Sequence, residues 1–300
     1  MKSHDVLISV VVPAYNYAKV LPRALDSILG QWADDLELIV VNDGSRDNTL
    51  EVLADYSARY PHLQVIDQAN AGAAAARNKG IGQARGRFVL LLDADDELTP
   101  EAIPTLRAIL QADPGVNMVL GGQISVYSDG RERLRLPTPV PQASARELAR
   151  RYLLQKRISV SHCCTLFERE LLLRRPYPEN LRTGEDIAVF AYLVVNARVI
   201  TTDVPLARIY KHVDSLRHSR ENEEEYAIGM VKEVFASLPA ECQGLSGRYK
   251  AQRYLSLFRS ALLSGDSLLA RRYYARALYL SPLQAMRWTY VRKAMRLMVV

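Results

Sequence analysis

The chain has 300 residues, of which 49% are hydrophobic and 24% are charged. This balance is typical of a globular chain and excludes a largely disordered one. The three cysteines are an odd count with no zinc-like spacing, which argues against a disulfide framework and favours a reducing compartment. The chain shows no signal-peptide pattern and no apolar stretch near the about 18 residues of a membrane span, so we expect a cytoplasmic location.

The net charge of +6 is unevenly distributed along the chain. Residues 245–300 hold eleven Lys and Arg residues and one acid, Asp266, so this segment carries +10. The remaining 244 residues therefore carry −4. The positive charge belongs to the C-terminal part of the chain, and the acidic motifs described below lie in the other part.

The first hundred residues alternate short apolar runs with helical spacing. We predict strands over 7–12, 36–41, 63–66 and 88–92, separated by helices over 20–30, from about 47, and over 71–82. This alternation is typical of an α/β fold with a mostly parallel sheet flanked by helices.

The rest of the chain changes from mixed structure to helices. We predict helices over 101–112, 144–156 and 187–195, strands over 116–120, 162–167, 199–202 and 208–210, and a partly β region over 121–141. Two long helices follow over 249–263 and 267–280, with a third after Pro282. We therefore expect a catalytic domain over 1–218, with halves of about 1–100 and 101–218, and a basic helical extension over 219–300.

An acidic segment follows the fourth predicted strand. Phe88–Leu92 is apolar and is followed at once by Asp93-Ala94-Asp95-Asp96. Because unpaired buried charge is costly, the strand should surface here, at the sheet edge where α/β proteins bind ligands. In an extended chain Asp93 and Asp95 point to one side, roughly 6–7 Å apart, which suits Mg²⁺ or Mn²⁺ bound to phosphates. The alternative is a solvated acidic turn before a helix that begins near Thr99.

The common nucleotide-binding motifs are missing from the sequence. The first strand is followed by Pro13-Ala14-Tyr15-Asn16 and not by a glycine-rich turn, and the glycines at 80, 82 and 86 have the wrong spacing. There is no Walker sequence either. If a nucleotide binds, it must be held by another arrangement of residues.

Four segments together resemble a known family. They are Val11-Val12-Pro13-Ala14-Tyr15-Asn16, then Val41-Asn42-Asp43-Gly44-Ser45, then Asn70-Ala71-Gly72 with Ala76-Arg77-Asn78-Lys79-Gly80, and finally Leu92-Asp93-Ala94-Asp95-Asp96. In this order they resemble the family 2 inverting glycosyltransferases of bacterial surface-polysaccharide or lipopolysaccharide synthesis, which have the GT-A fold. A later Gly184-Glu185-Asp186 also matches. The resemblance is strong over about 6–100, fair to about 215 and weak beyond.

The resemblance implies a nucleotide-sugar site in the first hundred residues. Pro13 and Tyr15 correspond to residues that hold the nucleobase, although the segment could also be a simple strand-ending turn. Asp43 could accept the N3–H of uracil or thymine, or form an Asx-turn. Gly72 would let the chain approach the ligand closely. Arg77 could pair with the diphosphate, or be a solvated helix residue.

The resemblance also implies the metal ligand and the catalytic base. Asp93 would contact the ribose and Asp95 would coordinate Mn²⁺ or Mg²⁺, with Asp96 as a capping or orienting residue. His212 falls where GT-A enzymes place a residue that closes over metal or diphosphate, although a lone histidine is often structural. Asp186 would be the general base that takes the acceptor's proton. Its alternative role is an acid favourable to a helix N-terminus.

These features predict a metal-dependent inverting glycosyltransferase. It would move a sugar from a UDP- or dTDP-sugar donor to a glycan or glycolipid acceptor in lipopolysaccharide core or exopolysaccharide synthesis, with rhamnosyl transfer as one option. The alternatives are a nucleotidyltransferase and a non-catalytic nucleotide-sugar-binding scaffold.

The basic tail leaves two interpretations open. Basic helices with Trp and Tyr are typical of peripheral binding to the inner face of a membrane. The other interpretation is a helical hairpin packed on the catalytic domain with a solvated basic face. No nucleic-acid-binding motif accompanies the charge, so no nucleic-acid partner is expected.

Overall fold

The computed structural model describes residues 6–181, 183–211 and 223–297, and these form two compact units. The first, here called the sheet unit, contains the described residues of 6–141, 158–179 and 196–211. The second, here called the helical unit, contains those of 142–157, 180–195 and 223–297. The segments 142–157 and 180–195 thus group with the C-terminal helices, although the predicted domain boundary after residue 218 had left them in the catalytic domain.

The sheet unit contains a nine-stranded mixed sheet. Its strands are β1 (Ile8–Ala14), β2 (Leu36–Asp43), β3 (Leu63–Gln68), β4 (Phe88–Leu91), β5 (Glu97–Leu98), β6 (Met118–Tyr127), β7 (Glu132–Arg135), β8 (Thr165–Glu168) and β9 (Val199–Lys211). They lie in the order β3-β2-β1-β4-β8-β6-β9-β5, and β7 pairs with β6. The first four are mutually parallel, β6 and β9 are parallel, and β8 runs antiparallel to both neighbours. The predicted α/β fold class is confirmed.

Helices pack on this sheet through apolar faces. They are α1 (Leu21–Leu29), α2 (Thr49–Arg59), α3 (Ala73–Gln83), α4 (Ala102–Ala112) and α6 (Arg169–Arg174). In α1, residues 21, 24, 25 and 28 are buried at the helical spacing that places them on one face. In α3, a Cβ on Gly80 would lie 2.3 Å from Val11 Cγ1 and 3.3 Å from Val41 Cγ2. Glycine is therefore required where α3 lies directly on β1 and β2.

The strand order creates a point where the chain direction across the sheet reverses. From β1 the chain moves outward through β2 to β3, and then returns to place β4 on the other side of β1. In such sheets the loops at the carboxyl ends of the strands beside the reversal diverge and leave a crevice. The loops that follow β1 and β4 are therefore the expected place for a ligand.

The helical unit has its own apolar core. Its helices are α5 (Ala145–Ala149), α7 (Glu185–Asn196), α8 (Glu223–Ala236), α9 (Ser246–Leu263), α10 (Ser267–Leu280), α11 (Pro282–Ala285) and α12 (Trp288–Arg296). A π-helical turn over Arg150–Gln155 continues α5. Phe258 and Tyr273, from α9 and α10, are among the side chains buried where these helices pack. Within the described residues, none of the helices combines the length and hydropathy that crossing a bilayer requires.

Three local predictions were wrong. The strand expected over 162–167 begins at Thr165, because His162–Cys164 forms a single 3₁₀ turn. The two short strands expected over 199–202 and 208–210 are one strand, β9, whose pairing with β6 shifts register near Gly122. Asp93 and Asp95 are not in extended chain, since β4 ends at Leu91 and the chain turns. Local sequence carried no signal for these tertiary effects.

Candidate active site

The loops after β1 and β2 are tied together by side-chain hydrogen bonds. The Asn16 amide N–H donates to Ser45 Oγ at 2.9 Å, and Asn16 Oδ1 accepts from the Arg46 amide at 2.7 Å. The Tyr17 amide donates to Thr49 Oγ1 at 3.0 Å. Asn16 has a φ of 59°, a left-handed conformation that asparagine tolerates well. This fixed loop carries Tyr15, whose side chain is exposed.

Asp43 ends β2 and organises the loop before α3. Its side chain is buried, and Oδ1 accepts from Gln68 Nε2 at 2.8 Å and from the Ala71 amide at 2.9 Å. Oδ2 accepts from the Gly72 amide at 2.8 Å. Gly72 has a φ of +93°, so glycine is favoured there for its backbone conformation. The carboxylate predicted to meet a nucleobase thus also fixes the start of α3.

The acidic segment after β4 is a tight turn. The Asp96 amide donates to the Asp93 carbonyl at 3.0 Å, and Ala94 between them is buried. The Asp95 carbonyl accepts a hydrogen bond from Arg23 Nη2 of α1. The Arg23 guanidinium also lies 3.5 Å from the centre of the Tyr210 ring. The backbone of the turn is therefore held by Arg23 of α1.

Asp93 is paired with a buried arginine of α3. Arg77 Nη2 lies 3.1 Å from Asp93 Oδ1, and Arg77 is 7% exposed. Burial opposes ionisation of Asp93, but Arg77, His162 and hydrogen bonds to Arg77 and Cys163 together hold its pKa below the usual value. Burial and the Arg77 charge lower the pKa of His162 to about 3, so this ring is neutral at pH 7. The charged groups here are Asp93 and Arg77.

The pKa of Asp96 is raised, whereas that of Asp93 is lowered. Its Oδ1 accepts from the Tyr210 amide at 2.9 Å, and its Oδ2 accepts from Cys163 Sγ at 3.3 Å. Burial is the main cause that raises its pKa to about 7, and the negative charges of Asp93 and Asp95 add to the rise. Burial and the same acids raise the pKa of the Cys163 thiol well above its usual value. Cys163 is therefore a protonated donor at neutral pH.

Tyr17 shows that the three acids lie near one another. Burial raises the pKa of its phenol to about 12, followed by the negative charges of Asp95, Asp93 and Asp96. Loops that follow β1 and β4 thus bring an aromatic hydroxyl and three carboxyl groups to one place. Three acids close together repel each other, so a cation at this edge would stabilise the group.

The donor atoms fit a hard divalent cation in part. Ligand atoms of Asp93, Asp96 and Cys163 all lie within 4.8 Å of one another. Carboxylate oxygens are the ligands that Mg²⁺ and Mn²⁺ prefer, whereas a neutral thiol is a poor ligand for them. Asp96 and Cys163 already bond to each other. Within this set the chemistry favours Asp93 as the metal-facing oxygen ligand, with Asp96 and Cys163 as an adjoining hydrogen-bonded pair. Asp95, the predicted metal ligand, is not a member of the set.

The structure places most of the predicted residues in the sheet unit. These are Pro13, Tyr15, Asp43, Gly72, Arg77, Asp93 and Asp95, in β1, β2, α3 and the segments that follow β1, β3 and β4. Asp186 lies in the helical unit, in the first turn of α7. Burial raises the pKa of Tyr249, and the negative charge of Asp186 adds to the rise. His212 lies outside the described residues.

The predicted site does not include five residues of this region, although the sequence suggests His162 and Cys163 as acceptor-side residues or as strand core. Tyr17, Arg23, His162, Cys163 and Tyr210 all contact or influence the acidic turn. Tyr17 could have been found, because it belongs to the loop after β1. The other four lie far from the turn in sequence, and only the tertiary structure brings them to it.

Comparison with known proteins places this geometry in context. The family model of glycosyl transferase family 2 matches residues 9–174. The uncharacterized glycosyltransferase YibD of Escherichia coli is 42% identical over 106 residues, which are 35% of this chain and 31% of YibD. Chondroitin synthase of Pasteurella multocida is 41% identical over 97 residues, 32% of this chain and 10% of the synthase. The alignments thus cover less than a third of these relatives.

Solved structures share the fold over nearly the whole chain. S. aureus TarS 1-349 in complex with UDP-GlcNAc has a TM-score of 0.69 at 22% identity, over 93% of this chain and 82% of that one. The mannosyltransferase PcManGT from Pyrobaculum calidifontis, in complex with GDP-Man and Mn²⁺, has a TM-score of 0.52 at 20% identity, over 96% and 86%. The family match extends over more than half of the residues, from β1 to the end of α6. The chain therefore belongs to glycosyl transferase family 2.

Proposed function

We propose that this protein is a metal-dependent inverting glycosyltransferase that uses a UDP- or dTDP-sugar. The observation that carries the proposal is the acidic turn Asp93-Ala94-Asp95-Asp96 beside the β1–β4 reversal, in which oxygen atoms of Asp93 and Asp96 lie within 4.8 Å of each other. A pyrophosphate is an anion, and it needs positive charge where a carboxylate cluster alone would repel it. A divalent cation can bind the carboxylates and the pyrophosphate at the same time, which favours a nucleotide diphosphate as the ligand at this edge of the sheet.

The donor-binding roles follow the positions of the side chains. Tyr15 is exposed after β1 and, with Pro13, is proposed to contact the base. Asp43 keeps one acceptor position on Oδ2 for a base N–H, and holds Gly72 beside it. Arg77 is proposed to contact the diphosphate as well as Asp93. Asp93 is proposed to accept from the ribose, because its pKa is held low and it stays ionised.

Asp95 is the proposed metal ligand, joined by an oxygen of Asp93. When bound, Mn²⁺ or Mg²⁺ supplies Lewis-acid stabilisation of the leaving diphosphate. Arg23 fixes the Asp95 carbonyl, so the turn that presents the carboxylate is already ordered. The hydrogen bonds that Asp96 accepts from Cys163 and from the Tyr210 amide suit a residue that orients the turn. His212 is retained as a proposed additional ligand.

Asp186 is the proposed general base. In an inverting transfer a single base takes the proton of the attacking hydroxyl, and the acceptor attacks from the face opposite the diphosphate. Asp186 sits in the first turn of α7, after Gly184, which has a φ of +74°. A helix start is a rigid position for a carboxylate, and its dipole favours the ionised form that a base requires.

The acceptor is proposed from the relatives. The names of the TarS complex and of chondroitin synthase include a UDP-sugar and a polysaccharide product. These favour a glycan or glycolipid acceptor in surface-polysaccharide synthesis, including lipopolysaccharide core, exopolysaccharide and rhamnosyl transfer. A cytoplasmic protein whose basic helices contact the inner membrane face fits that acceptor. The proposed domains remain a catalytic part over 1–218 and a helical part over 219–300.

The decisive experiment is nucleotide binding measured by calorimetry. We expect UDP or dTDP to bind in the presence of Mn²⁺ or Mg²⁺ and to lose affinity when EDTA removes the metal. Asp95→Ala should weaken metal-dependent binding at least about tenfold, which is about 1.4 kcal/mol. The matched control is Asp34→Ala, which removes an exposed acid of the same unit and should leave affinity unchanged. Absence of binding of both nucleotides with either metal would contradict the proposal.

A further inference from the structure

A polar pocket lies wholly within the helical unit. Its volume is about 210 Å³, and side chains from three parts of the unit line it. Six of these carry the argument: Arg150, Arg248, Gln252, Gln284, Arg287 and Tyr290. The pocket is formed by the π-helical turn after α5, by α9, and by the α11–α12 region. It contains none of the residues assigned to the donor site.

The charge of this pocket is strongly positive. Three of its lining residues are arginines, and none of the lining residues is an acid. Arg150 is already engaged, because its Nε and Nη2 lie 2.7 and 2.9 Å from Glu147 oxygens. Arg248 and Arg287 are exposed, and within the described part of the chain neither side chain makes a hydrogen bond or an ion pair. Two guanidinium groups are therefore available to one anion.

The pocket also has hydrogen-bond acceptors that need a donor. The Oε1 atoms of Gln252 and Gln284 are buried and have no hydrogen-bond partner among the described residues. An unsatisfied buried carbonyl oxygen is unfavourable, so a ligand that brings hydroxyl donors gains from bonding to these two oxygens. Tyr290 and three leucines supply apolar surface beside these polar groups. Inorganic phosphate in its HPO₄²⁻ form has one hydroxyl donor, whereas the two glutamine oxygens need one donor each.

We propose that the pocket binds one anionic sugar residue, phosphorylated or carboxylated, of a glycan. Arg248 and Arg287 would hold the phosphate or carboxylate, for which the guanidinium fork is well matched. Gln252 and Gln284 would accept from the sugar hydroxyls, and Tyr290 would lie against the ring. The volume suits a single sugar residue and is below the usual range for larger ligands. This inference rests on the helical unit alone, independently of the donor chemistry.

The test is a calorimetric titration of the full chain with glucose 6-phosphate. We expect saturable binding of glucose 6-phosphate, weaker binding of inorganic phosphate, and no measurable binding of glucose. The double variant Arg248→Gln/Arg287→Gln should lose at least about tenfold in affinity, because two charge-assisted contacts are removed. The matched control is Arg292→Gln/Lys293→Gln, which removes the same charge from α12 outside the pocket. It should bind as the wild type does.

Three outcomes would overturn the inference. The first is equal loss of affinity in both double variants, which indicates a diffuse electrostatic effect. The second is failure of glucose 6-phosphate to bind. The third is binding of phosphatidylglycerol vesicles that depends on Arg248 and Arg287 while glucose 6-phosphate does not compete, which assigns the pocket to a lipid headgroup. UDP binding measured on the same variants should be unchanged, so failure here is distinguishable from failure of the proposed donor site.

Discussion

The two units of this protein differ in how their charged side chains are held. In the sheet unit, Asp43, Asp93 and Asp96 are each held by named donors, and the partner of Asp93, Arg77, is itself buried. In the helical unit, the positive charge lies mainly on exposed arginines such as Arg248 and Arg287. Fixed charges suit a reaction, because they need no reorganisation when substrate arrives. Exposed arginines without an ion-pair partner suit recognition of a ligand, because their guanidinium groups can bind an anion.

The largest expected effect tests whether the helical unit contributes to chemistry. Asp186→Asn removes the proposed base and keeps the size of the side chain, so turnover should fall about 10²–10⁴-fold. UDP affinity with Mn²⁺ should not change. The measurement uses the nucleotide sugar that gives the largest thermal shift in a panel with Mn²⁺. The control is Glu185→Gln, which neutralises the neighbouring acid and should retain most activity.

Normal turnover by Asp186→Asn would exclude Asp186 as the general base. A wild-type chain that binds UDP and turns over no sugar in the panel would instead favour the scaffold interpretation. Either result would leave the family membership intact. The first would change only the role of Asp186, whereas the second would remove the proposed catalytic function.

The next effect concerns the packing of the sheet unit. Gly80→Ala places a methyl group 2.3 Å from Val11 Cγ1, and the fully buried sheet beneath α3 cannot yield easily. We expect a loss of stability toward the upper end of about 1–3 kcal/mol. Gly82→Ala is the control: nothing lies within 4 Å of its Cβ. Alanine is the better helix former there by up to about 1 kcal/mol.

The two tryptophans allow this loss to be assigned to a unit. Trp32 belongs to the sheet unit and stacks on His62 with ring centroids 4.7 Å apart, whereas Trp288 belongs to the helical unit and is exposed. In a Trp288→Phe background, Trp32 fluorescence reports the sheet unit during urea unfolding. A Gly80→Ala midpoint that does not move would show that α3 can shift away from the sheet.

The sequence predicted the part of the fold that local patterns determine. Apolar runs and helical spacing located β1 to β4 and the helices between them to within two residues at most boundaries. It could not predict that Cys163 and Tyr210 reach the acidic turn, because β8 and β9 join the sheet from far along the chain. Arg77 could have been a solvated helix residue, and its burial depends on the packing of α3. The motif located the acids, and tertiary structure determined their protonation.

The smallest effect is a pH dependence of stability from the sheet unit. His162 has a folded-state pKa of about 3 and an ordinary value near 6.5, so the unfolded chain takes up the proton first. Stability is therefore lost as the pH falls below 6.5. His162→Gln removes this loss, and relative to the wild type it should gain about 1.3 kcal/mol between pH 7 and 5.5.

Asp96 provides the contrast for that measurement. Its pKa is raised to about 7, so its contribution has the opposite sign and stability falls as the pH rises from about 4 to 7. Because Asp96 is present in both proteins, the difference between variant and wild type isolates His162. Urea unfolding at pH 7, 6 and 5.5 is the measurement, and parallel curves for the two proteins would contradict the assignment.

The hydrogen bonds that Asp43 accepts within the sheet unit have a consequence for redesign. Three donors already occupy its carboxylate, and two of them are the backbone amides that begin the approach to α3. A substitution there intended to change the preferred base would first release Gly72 and the loop around it. Under the proposed role of Asp43, donor selectivity is coupled to loop integrity, and an engineer seeking a different nucleotide should vary the exposed Tyr15 before altering Asp43.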